Sequence, residues 1–115
     1  MEELHINVFN IVGNGICVEA DDGDKVFTHI SSALKAEKKV ILSFQNVEML
    51  TSAFLNTAIG QLYRDFTEQQ IKESLSVIQL EGTDRVLLKR VIDTAKIFYK
   101  DPTRLEQSIN EIMGE

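Results

Sequence analysis

In 115 residues the sequence has one proline, one cysteine, two histidines and no tryptophan. So little proline, with only six glycines, excludes collagen-like, linker-like and low-complexity chains. The lone Cys17 excludes an internal disulfide and makes a reducing compartment the expectation. Apolar runs are only a few residues long, too short to span a bilayer. Met1-Glu2-Glu3 has neither the basic nor the apolar region of a signal peptide. Positive charge is scarce as well: 12 Lys and Arg stand against 18 Asp and Glu, a formal charge of −6. Nucleic acid bound non-specifically and anionic membrane surfaces both require a net basic footprint, so neither is expected as a partner. What remains is a cytoplasmic chain of one domain, residues 1–115, long enough to bury about two thirds of its unfolded surface.

Catalytic signatures are also missing. There is no Gly-x-Ser-x-Gly elbow, no Gly-x-x-x-x-Gly-Lys loop and no His-Glu-x-x-His helix. His5 and His29 belong to no recognisable catalytic or metal-binding spacing, and Cys17 reads as a small apolar strand residue. A calcium loop opening at Asp22 would need glutamate at its twelfth position, where Ala33 stands. The expectation is a protein without enzymatic activity, cofactor or metal.

The hydrophobic pattern carries the fold. Leu4–Ile11 reads as a strand, Gly13-Asn14-Gly15 as a turn and Ile16–Ala20 as a second strand, which together predict a hairpin. Asp21-Asp22-Gly23-Asp24 predicts a turn and helix cap, followed by a helix from about Asp24 to Glu37 that buries Val26, Phe27, Ile30, Ala33 and Leu34. Lys39–Phe44 is a buried strand, and Gln45–Leu50 a loop. From Ser52 to Phe66, apolar residues recur at Leu55, Ala58, Ile59, Leu62, Tyr63 and Phe66, an amphipathic helix. Glu68–Glu73 reads as a further helical turn, Leu75–Leu80 as a strand, and Gly82-Thr83-Asp84 as the start of a helix burying Leu88, Val91, Ile92, Ala95 and Phe98. Lys96–Tyr99 fits either the end of that helix or a fifth strand. Asp101-Pro102 then restarts a short helix with Leu105, Ile109, Ile112 and Met113 on its face. The expected fold is α/β: a four-stranded mixed sheet, five-stranded if 96–99 joins it, with helices mainly on one face.

Two surface features invite a functional reading. A basic stripe, Arg85, Lys89, Arg90, Lys96 and Lys100, is either a solvated helix face or a site for an acidic partner. Around the Ser52 helix, Thr51 or Ser52 stands where free N–H groups and the helix dipole face outward, so a hydroxyl there is a cap or a phosphorylation switch. Asn56, Thr57, Gly60 and Gln61 avoid the apolar positions and are read as outward-facing, uncharged residues in a charge-rich chain. Gly60 costs a helix about 1 kcal/mol relative to alanine, which asks for close approach of a partner or of another helix of the same fold.

At Val40–Leu55, a strand, a polar loop and a helix opening on Thr51-Ser52-Ala53-Phe54-Leu55, the chain resembles the STAS domains of bacterial anti-sigma-factor antagonists. Within these it is similar to the STAS-like family of unknown function found in bacterial and mobile-element proteins. Leu87-Leu88-Lys89-Arg90-Val91-Ile92 is similar to the helix following the next strand in such domains. The resemblance implies a regulatory module that docks a histidine-kinase-like ATPase through Thr51, Ser52, Ala53, Asn56, Thr57, Gly60 and Gln61. A ligand-sensing module holding a small molecule or nucleotide beside this loop is the alternative. In the antagonists the motif is Asp-Ser-Ser-Gly-Leu, with the second serine phosphorylated. Laid on this chain, that serine falls on Ala53, so the acceptor is absent and Ser52 is the neighbouring candidate.

Overall fold

The computed structural model describes residues 2–100. The expected C-terminal helix carrying Leu105, Ile109, Ile112 and Met113 lies outside the described residues.

The first strand, β1 (Glu3–Asn7), is shorter than its apolar run. Asn7 ends it, its side-chain oxygen accepting the Asn10 N–H at 3.1 Å and so capping a helical turn, α1 (Val8–Val12), which Gly13 closes at φ 93°. Within α1 Val8 is buried, and Ile11 and Val12 pack against the core at the i+3 and i+4 positions. The predicted hairpin is therefore absent. An Asn-started helical turn stands where alternation suggested the second half of a strand. β2 (Ile16–Cys17) does not fold back on β1; it runs parallel to β4 (Met49–Leu50).

The acidic cluster lies inside a helix. α2 spans Ala20–Lys35, four residues earlier than the expected start, with Asp21 and Asp22 in its first turn, where negative charge complements the dipole. Glu19 occupies the cap position without a side-chain hydrogen bond, so the expected Asp cap is replaced by charge placement. Val26, Ile30, Ala33 and Leu34 form its buried face, as the spacing predicts.

β3 (Lys39–Ser43) is the centre of a parallel three-stranded sheet in the order β1-β3-β5, with β5 spanning Leu75–Ile78. The register aligns Ile6, Leu42 and Val77 on one face, together with Leu4, Val40 and Leu75. Helices cover this face. On the other, Glu3, His5, Ser76 and Ile78 are exposed. Among the described residues the expected single mixed sheet is thus corrected to two parallel sheets, of three and two strands; right-handed helical crossovers favour parallel pairing, and a two-residue β2 is too short to join the larger sheet.

Between β4 and β5 the helical stretch comes in three pieces: α3 (Ser52–Leu55), a π-helical segment (Asn56–Gly60) and α4 (Leu62–Asp65). α5 (Glu68–Ser74) follows under a capping box, Thr67 and Gln70 each bonding the other's backbone N–H at 3.1 and 2.9 Å. The last described helix, α6, runs unbroken over Thr83–Lys100. Residues 96–99 are therefore helix, not a fifth strand. Leu88, Val91 and Ala95 are buried on it, Ile92 is half-buried, and Phe98, expected inside, is 43% exposed.

The core gathers where α2, the π segment and α6 meet above the sheet, with Phe54, Leu55, Ala58, Ile59 and Leu62 fully enclosed. Gly23 makes the crossing possible. A Cβ there would lie 2.5 Å from the Phe54 carbonyl oxygen, so any side chain would drive α2 away from α3.

Candidate functional site

Thr51 sits in extended backbone at the end of β4, with φ −123°. Its N–H donates to the Cys17 carbonyl at 3.2 Å, and its hydroxyl donates to the Val18 carbonyl at 2.7 Å while accepting the Phe54 N–H at 3.2 Å. Thr51 is thus the helix cap, and it ties β2 to the start of α3. Both uses of its half-buried hydroxyl are internal. Ser52 and Ala53 are exposed, and Phe54 and Leu55 turn into the core. Of the two hydroxyls left open by the sequence, Thr51 is the structural one and Ser52 the accessible one.

Beyond them the expected outward face divides. Asn56 is exposed. Thr57 is half-buried, its hydroxyl donating to the Ala53 carbonyl at 3.0 Å, and Gln61 is half-buried with its amide donating to the Thr57 carbonyl at 2.9 Å. Gly60 is buried, contrary to its expected exposure. A Cβ on it would meet Ala95 Cβ and Val91 Cγ1 of α6 at 3.7 Å. The wide π turn, closed by the Gln61 N–H on the Asn56 carbonyl at 3.0 Å, is why a regular 3.6-residue wheel misplaced it: Ala58, Ile59 and Gly60 are consecutive and all buried between α2 and α6.

Two residues escaped the sequence reading. Ile16 and Met49 are register partners across β2 and β4 and stay 42% and 54% exposed, so an apolar pair stands immediately before Thr51-Ser52-Ala53. The usable signal was alternation: Cys17 and Leu50 turn inward, which sends their strand neighbours outward. Met49 was hidden because a two-residue strand inside a polar loop has no periodicity to detect.

One titratable group, Cys17, lies directly beneath the helix start, where its carbonyl receives the Thr51 N–H. Cys17 is fully buried, and that burial, followed by the charge of Asp22, pushes its thiol up to about 11. A thiol so protonated is a poor nucleophile. His5 is exposed beside Glu3 at 3.5 Å, and His29 is exposed with Nδ1 2.8 Å from the Lys25 carbonyl.

Parallel strands covered by helices on one face, with a strand–loop–helix unit from β3 to α4, make this an α/β fold. The chain belongs to the family described as STAS-like domain of unknown function (DUF4325), whose family model matches residues 22–85, more than half of the sequence. No curated protein and no solved structure matches the chain. No helix among the described residues is long and apolar enough to cross a membrane.

Proposed function

We propose that this chain is a non-catalytic regulatory module that docks a protein partner through the start of α3, the partner being a histidine-kinase-like ATPase of the kind engaged by STAS antagonists. The observation that carries this reading is the exposure of Ser52, Ala53 and Asn56, all small or uncharged, directly after the exposed pair Ile16 and Met49. Two exposed apolar side chains beside small, uncharged ones, with Glu48 at their margin, have the make-up of a protein-binding patch. Gly60 drops out of the docking set, and Thr57 and Gln61 stand at its edge. Ligand sensing ranks second: the cavity that reaches Asn56, lined also by Gly60, Thr94, Ala95, Phe98 and Tyr99, holds about 220 Å³, and the one of about 420 Å³ that reaches Ile59 and Tyr63 is lined by none of residues 51–56. Small-molecule sites usually run from roughly 300 Å³ upward.

Docking is constitutive in this reading, since Ala53 occupies the acceptor position. Asn56→Arg and Ala53→Lys should abolish retention of the ATPase in affinity capture from the native cell, with the far-ultraviolet circular dichroism unchanged. Retention by both folded variants would sink the proposal. Intact mass with and without phosphatase tests the constitutive part: a phosphatase-sensitive phosphate on Thr51 or Ser52 would restore the switch.

A further inference from the structure

Three residues of the basic stripe that the sequence leaves open, Arg85, Lys89 and Lys96, line a groove, whereas Arg90 and Lys100 do not, and the groove is separate from the α3 surface. Along α6 a cavity of about 580 Å³ is floored by Val86, Leu88 and Ile92 and rimmed by Arg85, Lys89 and Lys96. A second cavity of about 420 Å³ shares Ile92 and Lys96 and continues to Ile71, Leu75 and Val77, the last two on an edge strand of the larger sheet. The two make one trough with an apolar floor. None of residues 51–56 lines it.

We propose that this trough is a docking site for an acidic amphipathic helix of a partner protein. The charge on its rim selects the partner. In a chain of net charge −6, the α6 part of the groove carries three cations and a single carboxylate, Asp93. That carboxylate is already matched by Lys89 at 2.8 Å. Arg85 and Lys96 have no carboxylate within 4 Å among the described residues, and at the β5 end Lys72 and Glu68 offset each other, which leaves the excess positive charge on the α6 part. A surface of opposite sign to the rest of its molecule steers and orients an oppositely charged ligand. Length selects a helix. Arg85 and Lys96 are eleven residues apart on α6, about 16 Å at 1.5 Å per residue, or three helical turns. An amphipathic helix of three turns laid alongside would place apolar side chains over Val86, Leu88 and Ile92, and glutamates against Arg85 and Lys96.

The test uses the full chain and two fluorescein-labelled peptides of three to four turns. Both carry leucine on one face; one has glutamate at every flanking position and its twin has lysine. Fluorescence anisotropy should show the acidic peptide binding at least roughly tenfold more tightly than its twin, with the gap closing as salt rises. Amide chemical shifts should move at 71–77 and 82–96 and stay still at 49–56. Arg85→Glu combined with Lys96→Glu should reverse the preference between the twins. Equal binding of the two peptides overturns the proposal, as do shifts confined to 49–56. Refusal of both peptides by the full chain overturns it too. A sedimentation mass twice that of the chain would then name a second copy as the occupant, and binding regained on Leu105→Ser with Ile109→Ser would name residues 101–115.

Discussion

The start and the middle of the Ser52–Asp65 stretch are built from the same kind of residue and end in opposite environments. Ser52, Ala53 and Asn56 lie in solvent, whereas Ala58 and Gly60, equally small and uncharged, lie between α2 and α6. Small side chains are required wherever two backbones approach closely, whether the second backbone belongs to a partner or to the same chain. At Gly60 the neighbour is α6, with Val91 and Ala95 filling the space. At Ser52 and Ala53 no element of the described residues covers the surface. Small residues therefore permit close approach, and at Gly60 it is α6 that makes it.

That contrast is tested most severely at Gly60. Gly60→Arg would press a charge into the α6 contact and should cost at least about 3 kcal/mol in urea unfolding, or prevent folding. Gly60→Ala should stay within about 1 kcal/mol of the wild type, because its Cβ would meet neighbours at 3.6–3.7 Å, ordinary contact distances. An arginine accommodated without loss would erase the distinction between the two regions.

A smaller effect sits beneath the helix start, at Cys17. Its thiol stays neutral in the folded chain up to about 11, whereas in the unfolded chain it ionises near its ordinary 9.0. A folded pKa raised above the unfolded one leaves stability intact below pH 9 and removes it as pH climbs through 11. The loss should be on the order of 2 kcal/mol. Urea melts of wild type and Cys17→Ala from pH 7 to 11 isolate this contribution as the difference between the two curves. Parallel curves would mean that the β2 side of the helix start is open to water.

The smallest effect sharpens the boundary within the helix start itself. Thr51→Val removes a capping bond and leaves the Val18 carbonyl without its hydroxyl donor, for about 1–2 kcal/mol. Ser52→Ala, one residue on, should change stability by less than about 0.5 kcal/mol, as exposed positions do. Equal losses from the two would place Ser52 in the framework and take it out of the docking surface.

Much of this architecture is legible in the sequence. The burial of Val26, Ile30, Ala33 and Leu34, of Val40 and Leu42, and of Leu55, Ala58, Ile59 and Leu62 follows from period and run length, because solvent exclusion acts on those patterns directly. The family resemblance carried by Val40–Leu55 is likewise met by the family that the chain belongs to. What alternation could not reveal is that Asn7 would cap a helix. Leu4–Ile11 satisfies a strand pattern well enough, and the outcome turned on one side-chain hydrogen bond of 3.1 Å together with the packing of Val8, Ile11 and Val12. At the candidate site, the exposed and uncharged start of the Ser52 helix was legible, but not which neighbouring side chains reach the surface. Gly60 is buried and Met49 and Ile16 are exposed, since both outcomes depend on which element lies opposite.

From the sequence alone follow an acidic α/β chain without disulfides, its helical faces, its central strand and the uncharged opening of the Ser52 helix, all of them consequences of local composition and of 2.0 or 3.6 periodicity. Only the tertiary structure decided that β2 pairs with β4 in parallel, that the acidic cluster opens α2, and that Thr51 is tied down while Ser52 is free. It also decided that a π turn rotates Gly60 onto α6. Each of these depends on a group distant in sequence: the Gly15 carbonyl receiving the Glu48 N–H, Gly23 against the Phe54 carbonyl, the Val18 carbonyl under Thr51, and Val91 and Ala95 over Gly60. Close approach between backbones is settled by the partner's position as much as by the residue's own size, and that position is a property of the folded chain.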